Sequence, residues 1–373
     1  MINFNESINI EKGYEYIKQA IDNKKISGDG IFTKKCNSWF EENYHCKKAL
    51  LTTSCTHALE MAAILIDTKQ GDEIISPSYT FVSTVNAFVL RGAKIKFIDI
   101  ERDTMNIDAD KIEKAITDKT KAIVVVHYAG VSCNMDEIMN IARKHNIYVI
   151  EDAAQGVHAT YKDKFLGTIG DIGCYSFHDT KNYTMGEGGA IIINNEKFIE
   201  RAEIIREKGT DRTKFFRGEV DKYTWVDIGS SYLPSDINAA YLYGQLEIVD
   251  EINKNRLDTW NNYYKNLKNI KEIELPTIPE YAVHNGHMFY IKLDSHKIRN
   301  DIMNYLRENG IYSVFHYIPL HSAKAGENYG EFIGEDRYTT VESEKLLRLP
   351  MYYGLEKEDV IYICNKIREY FKI

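Results

Sequence analysis

Asp152 ends the apolar run Ile147–Glu151, and Lys181 follows it by 29 positions inside the segment Ser176–Asn182. A lysine amine can condense with a carbonyl and later carry a proton to or from the adjoining carbon. A carboxylate at a strand end can keep a ring nitrogen protonated, because each charge stabilises the other. Pyridoxal phosphate requires both groups: its aldehyde takes the lysine, and its protonated pyridine ring serves as an electron sink. Read singly, Asp152 is a helix N-cap and Lys181 a solvated surface lysine. Their neighbours favour the chemical reading. Ser176, Phe177 and His178 close one strand and Gly186-Glu187-Gly188-Gly189 opens the next, so Lys181 falls in a constrained turn that the glycines permit.

The segment Thr52–Thr56 joins a strand to a helix. First-turn amides at Cys55 and Thr56 then have no intrahelical partner, and the helix dipole favours an anion such as phosphate. The hydroxyls of Thr56 and Ser176 can add contacts, although simple capping by Ser54 explains the same pattern. No motif pairs Cys55 with a histidine base, so it reads as an amide donor rather than a nucleophile. Phe81 lies just past a strand end, where it either covers the cofactor ring or fills the core. Gln155 is placed to donate to the ring hydroxyl. Arg212, Lys214 and Arg217 share a long polar and aromatic stretch over residues 208–234. They are candidates for a substrate diphosphate, or else a solvated charged face.

Alternating short apolar runs and helical periodicities must position these groups. Strands are expected at 47–51, 73–76, 94–100, 122–127 and 147–150, with helices at 56–66, 80–91, 108–117 and 135–145. Runs such as Ala122–Val126 are apolar at every position, the mark of strands covered on both faces. The fold class is therefore α/β with a mostly parallel sheet, and ligands belong beyond the strands' C-terminal ends. Two strands at 172–177 and 188–193 flank Lys181, a helix follows at 196–207, and a long helix is expected over 235–255. A soft domain boundary falls near 245, giving a large domain 1–245 and a smaller α/β domain 246–373.

With 373 residues, 44% hydrophobic and 27% charged, the chain reads as an ordinary soluble globular protein. Its formal charge of −8 argues against a general nucleic-acid surface. Its apolar runs are too short to span a bilayer, and Met1–Ser7 lacks the features of a signal peptide, so a cytoplasmic location is expected. Six scattered cysteines without a C-x-x-C pair, and no H-E-x-x-H, give no zinc motif. No strand is followed by G-x-G-x-x-G, which disfavours a nicotinamide dehydrogenase.

In order, Gly28-Asp29-Gly30, Ser54–Thr56, Pro77–Ser83, Cys133–Asp136, Glu151–Gln155, Ser176–Gly189 and His316–His321 resemble the sugar aminotransferase family. That family is a branch of the fold type I, aspartate-aminotransferase class of pyridoxal phosphate enzymes. The resemblance implies Lys181 as the Schiff-base lysine, Asp152 at the pyridine nitrogen, Gln155 near the ring oxygen and Phe81 stacked on the ring. It implies that Thr56, the Cys55 amide and Ser176 hold the phosphate, with His316 and Tyr317 toward the substrate. Segments Phe177–Thr184, Phe215–Trp225 and Gly334–Thr340 further imply amino transfer from L-glutamate to C4 of dTDP-4-keto-6-deoxyglucose. A homodimer with shared active sites is implied as well. In many relatives Gly-Tyr-Asn-Tyr-Arg-Met stands where this chain has Gly229–Pro234, and their asparagine crosses to the partner's cofactor phosphate. Here either Ser231 does that job with a shorter reach or the contact is lost. A sugar dehydratase of the same family would carry histidine in place of Lys181. Open alternatives are an acceptor that is another nucleotide-linked 3- or 4-ketosugar, and a nonenzymatic nucleotide-sugar binder.

Overall fold

Adjacent residues on the central strands enter different cores, which is why those strands are apolar throughout. In a computed structural model describing residues 1–373, Ala49, Leu51, Ile75, Ile123, Val125 and Ile192 pack into one cluster, while Leu50, Ile74, Val124, Ile191 and Ile193 pack into another. Period-two side-chain alternation between two helical layers produces this division. Helices α1 (Glu11–Asp22) and α2 (Ile31–Tyr44) precede the first strand. Then come β1 (Lys48–Thr52), α3 (Cys55–Leu65), β2 (Glu73–Pro77), α4 (Ser83–Val89), β3 (Lys94–Ile98), α5 (Ala109–Ala115), β4 (Thr120–Val126), α6 (Met135–His145) and β5 (Tyr148–Asp152). A short hairpin, β6 (Thr160–Tyr161) and β7 (Lys164–Phe165), leads to β8 (Ile172–Ser176) and β9 (Gly189–Ile193).

The large sheet has eight strands in the order β1-β9-β8-β5-β4-β2-β3, with β13 (Gly330–Phe332) on the outer edge. Only β9 runs against the rest. The C-terminal ends of β1, β2, β5 and β8 therefore lie along one edge, and the segments carrying Cys55, Phe81, Asp152 and Lys181 leave from it.

Several boundaries differ from the sequence expectation. The helix expected from residue 80 begins at Ser83, since Thr80–Val82 form the exit from β2. The segment 196–207 starts as a 3-10 turn before α7 (Ile199–Arg206), and residues 208–234 contain the short α8 (Arg212–Phe216). The single helix expected over 235–255 is two, α9 (Asp236–Leu246) and α10 (Val249–Leu267). Ile248, at φ −122° and ψ 30°, leaves helical geometry between them, and Asp250 and Glu251 then sit favourably in the first turn of α10.

We propose the boundary of the two domains at this break. Beyond it a second sheet forms from β11 (Phe289–Lys292), β14 (Leu346–Leu349) and β12 (Val314–Phe315), after the short β10 (Ala282–Val283) has paired with β6. This sheet packs on its own core of Trp260, Tyr263, Ile302, Leu347, Leu349 and Ile363. The C-terminal stretch contributes to both sheets, because β13 pairs with β3. No helix is long and apolar enough to cross a membrane.

Candidate active site

Glu151 and Asp152 are adjacent buried carboxylates with opposite bonding states. Glu151 accepts from the amides of Gly167 (2.7 Å), Ile169 (2.7 Å) and Gly170 (2.6 Å) and pairs with His127 Nε2 at 2.9 Å. These four donors fill its acceptor capacity and tie the β7–β8 loop to the sheet. Asp152 faces the other way and accepts only from Thr84 Oγ1 (2.6 Å) and the Ala154 amide (3.1 Å). Burial pushes its carboxyl above the ordinary value, a tendency that Thr84, Ala154 and Lys181 oppose. It is a carboxylate with room for one more donor, preferably a cationic one.

That room opens into a cavity of about 450 Å³ at the C-terminal edge of the large sheet. Lys181 lines it from the β8–β9 turn, where its own amide donates to His178 O at 2.9 Å. Burial depresses the Lys181 amine below its ordinary value, and the cation of Arg348 depresses it further, against the pull of Cys55 and Asp152. A neutral amine is the form that attacks a carbonyl. Thus Lys181 is driven towards a nucleophile while Asp152 lacks a full counter-charge.

The start of α3 forms another wall. Ser54 caps the helix by accepting from the His57 amide at 3.0 Å, leaving the Cys55 and Thr56 amides free of side-chain caps. Thr56 Oγ1 lies 2.8 Å from Ser83 Oγ, and Ser176 lines the same cavity. Gly189 pairs with both Thr52 and Ser176, and a Cβ there would come within 2.4 Å of the Cys55 amide nitrogen. Only glycine lets β9 approach this closely. Burial raises the Cys55 thiol well above its usual value, as does Asp152, which excludes a thiolate role at rest.

Phe81, 56% exposed, stands at the cavity wall with its ring 6.2 Å from that of Tyr317. Gln155 Oε1 accepts from the Ala129 amide at 2.6 Å, and its Nε2 points to Tyr317 Oη at 3.3 Å. Its amide orientation is thereby fixed, with donor hydrogens on the cavity side. His316 is buried, takes Tyr128 Oη at 3.0 Å on Nδ1, and is held neutral by burial and by Arg348.

The structure thus gathers Cys55, Thr56, Phe81, Asp152, Gln155, Ser176, Lys181, His316 and Tyr317 around one cavity. Ser231, Arg212, Lys214 and Arg217 do not line it. Ser231 is exposed and bridges Glu207, while the three cations pair with acids of α7 and its flanks. Thr84, His287, Phe4 and Arg348 escaped the sequence reading. Arg348 alone left a signal: one charge inside the apolar strand Leu346–Leu349.

The site has the fittings for pyridoxal phosphate: an amine, a carboxylate short of a cation, and an anion-binding helix end. The sequence matches the DegT/DnrJ/EryC1/StrS aminotransferase family over residues 8–368. It is 35% identical over 366 residues to an uncharacterized protein, MJ1066, of Methanocaldococcus jannaschii, covering 96% of this chain and 95% of the relative. GDP-perosamine synthase of Escherichia coli O157:H7 is 31% identical over 366 residues, with 96% of each chain covered. Among solved structures, the PLP-form of a sugar aminotransferase, Spr1654, described as putative, from Streptococcus pneumoniae superposes with a TM-score of 0.91 at 25% identity, covering 99% of this chain and 98% of that one.

Proposed function

Because this chain belongs to the DegT/DnrJ/EryC1/StrS aminotransferase family, whose cofactor is pyridoxal phosphate, we propose a specific reaction for it. It moves the amino group of L-glutamate to C4 of dTDP-4-keto-6-deoxy-D-glucose, giving dTDP-4-amino-4,6-dideoxy-D-galactose and 2-oxoglutarate. The observation that carries the reaction class is the convergence of Lys181 and Asp152 on one cavity. The choice of sugar rests on the likeness of Phe177–Thr184, Phe215–Trp225 and Gly334–Thr340 to the branch acting on that acceptor.

When bound, the cofactor supplies an aldehyde for the amine and a ring that withdraws electrons from the reacting carbon. This chain's residues do the rest. Lys181 Nζ would hold the cofactor through its aldehyde and is placed to hold or deliver a proton at the reacting carbon. Asp152, positioned by Thr84 and Ala154, would keep the ring nitrogen protonated. The Cys55 and Thr56 amides with the Thr56 and Ser176 hydroxyls would bind the phosphate. Phe81, at the cavity wall, would cover the ring and keep water from it.

We propose a homodimer in which residues 208–234, Ser231 included, approach the partner's cleft. In support, the large apolar side chains of Phe216 (70%), Trp225 (76%) and Val226 (50%) on this segment are exposed in a single chain. A cytoplasmic location follows from the same reading, as a place where glutamate is abundant.

A second reading takes another nucleotide-linked 3- or 4-ketosugar as acceptor, and the likeness to GDP-perosamine synthase favours it. To decide, the cofactor-loaded protein is given glutamate and a panel of dTDP-, GDP- and UDP-linked ketosugars, with product stereochemistry read by NMR. Formation of the 4-amino galacto product from the dTDP sugar is expected. Turnover confined to a GDP- or UDP-sugar, or to a 3-keto position, overturns the choice of acceptor. A visible band that glutamate fails to bleach overturns the reaction class and leaves a nonenzymatic binder.

A further inference from the structure

We infer that His287 Nε2 takes a hydroxyl hydrogen of the acceptor sugar, from the carbon adjoining the one that receives the amine; this rests on the nucleotide-sugar reading above. His287 is buried just before β11 and shares two spaces with Lys181. One is the main cavity, and the other is a small chamber that Gln155, Ser176, Asn182 and Asn285 also line. Arg256, buried in α10, fastens the segment by donating to Gly286 O at 3.1 Å and His287 O at 2.8 Å.

The hydrogen bonds around His287 decide which ring nitrogen carries the proton. Asn285 Nδ2 donates to the carbonyls of Gln155 (2.9 Å) and Val157 (2.8 Å), and its Oδ1 accepts from the His287 amide at 3.0 Å. Asn182 Nδ2 donates to Asn285 O at 3.0 Å, which turns Asn182 Oδ1 towards His287 Nδ1 at 2.9 Å. An amide oxygen only accepts, so Nδ1 carries a hydrogen. The ring is also neutral, because burial and the cations of Lys181, Arg256 and Arg348 hold it well below its ordinary value. A neutral imidazole protonated at Nδ1 leaves a lone pair on Nε2. That nitrogen has no partner in the chain and is open to the cavity.

An atom that accepts and cannot donate sorts the ligands of this site. Carboxylates and phosphates bring further lone pairs and are turned away. L-Glutamate brings one donating group, the amine that is transferred. The ketosugar carries hydroxyls beside its keto carbon, and that carbon must come to Lys181 Nζ, which brings an adjoining hydroxyl to His287. Gln155 and His316 have spent acceptors of their own, on the Ala129 amide at 2.6 Å and on Tyr128 Oη at 3.0 Å. A buried acceptor built for a hydroxyl rejects the analogue that lacks it, since the acceptor is then left unpaired. His287 therefore reads the sugar and is idle in the glutamate half-reaction.

The test uses cofactor-loaded protein and whichever ketosugar nucleotide the wild type accepts, with each half-reaction followed as a single turnover by the visible band. His287→Phe should lower the efficiency of the ketosugar half-reaction by about 10- to 100-fold, because the hydroxyl is left unpaired. It should change the L-glutamate half-reaction by less than about 3-fold. The ketosugar nucleotide deoxygenated at the adjoining carbon should react poorly with the wild type, and this loss should not add to that of the variant. His287→Gln, which returns an acceptor, should recover part of the rate. Binding is read apart from turnover: protein whose cofactor glutamate has aminated cannot react with the aminosugar product. Calorimetry should show that product binding about 10-fold more weakly to His287→Phe. Cofactor absorbance and circular dichroism matching wild type establish that the variants are folded. Equal losses in both half-reactions, losses that add on deoxygenation, or unchanged product binding overturn the assignment. If wild-type protein fails to respond to glutamate, or responds and accepts no ketosugar, the nucleotide-sugar aminotransferase reading falls instead, and this one with it.

Discussion

The cations of the 208–234 loop and those of the cavity differ in one respect: the first have partners and the second do not. Lys214 pairs with Glu200 at 2.6 Å, Arg217 with Glu203 at 2.7 Å and Glu219 at 2.6 Å, and Arg212 with Glu207 at 3.5 Å. Lys181 and Arg348 line the cavity and form no ion pair, although Asp152 acts on Lys181 from a distance. Adjacent Glu151 and Asp152 repeat the contrast among carboxylates, one saturated by four donors and the other holding two. A satisfied buried charge is architecture, whereas an unsatisfied one beside an open volume marks where a ligand completes the electrostatics.

The contrast breaks most severely at Lys181. Lys181→Ala should reduce turnover by roughly 10⁴-fold or more, because in the proposed reaction one amine would both hold the cofactor and move the proton. Far-ultraviolet circular dichroism should be unchanged; a wild-type rate from this variant would remove the central assignment. Next comes Asp152→Asn, which should still take up cofactor yet lose about 100-fold in rate. A neutral amide forfeits about two pKa units of stabilisation of the protonated ring. Unchanged kinetics would place Asp152 outside the chemistry.

Arg217→Ala probes the paired side of the comparison. If the loop binds the nucleotide's diphosphate, the KM for the ketosugar nucleotide should rise about 3- to 10-fold, with the glutamate half-reaction untouched. Equal losses in both half-reactions would mean that freeing Glu203 and Glu219 damages the loop. No change in either would make Arg217 an ordinary surface residue.

The smallest effect concerns pH. Burial lowers Lys181 below the ordinary 10.5, so its neutral fraction grows as pH rises through that lowered value. Uptake of pyridoxal phosphate by cofactor-free protein, measured by the visible band, should therefore accelerate with pH and level off before 10.5. Removing the neighbouring cation in Arg348→Gln should move the midpoint upward. A downward shift would contradict the placement of Arg348 beside Lys181.

Most of the large domain was legible because its physics is local in sequence. Two-sided burial makes β4 and its neighbours apolar at every position, and the alternation of those runs with helical periods specifies a parallel sheet. Asp152 at a strand end and Lys181 between two strands could be found the same way, since each is positioned by residues adjoining it. The break at Ile248 was not legible: nothing in the composition of 235–255 interrupts helical periodicity, and the geometry there answers to packing on both sides. Arg348 belongs to the same class. It is 167 residues from Lys181 along the chain, on a different sheet, and its meaning comes from what faces it.

By itself, then, the sequence determined the layered α/β architecture and singled out the amine, the carboxylate and the helix start that share one cavity, because local pattern dictates strand, turn and helix start. Tertiary structure alone decided which charges have partners. Pairing depends on distances between segments far apart in the chain. Those distances left Glu151 saturated beside an open Asp152, gave Arg217 two glutamates, and left Arg348 without a carboxylate across from Lys181.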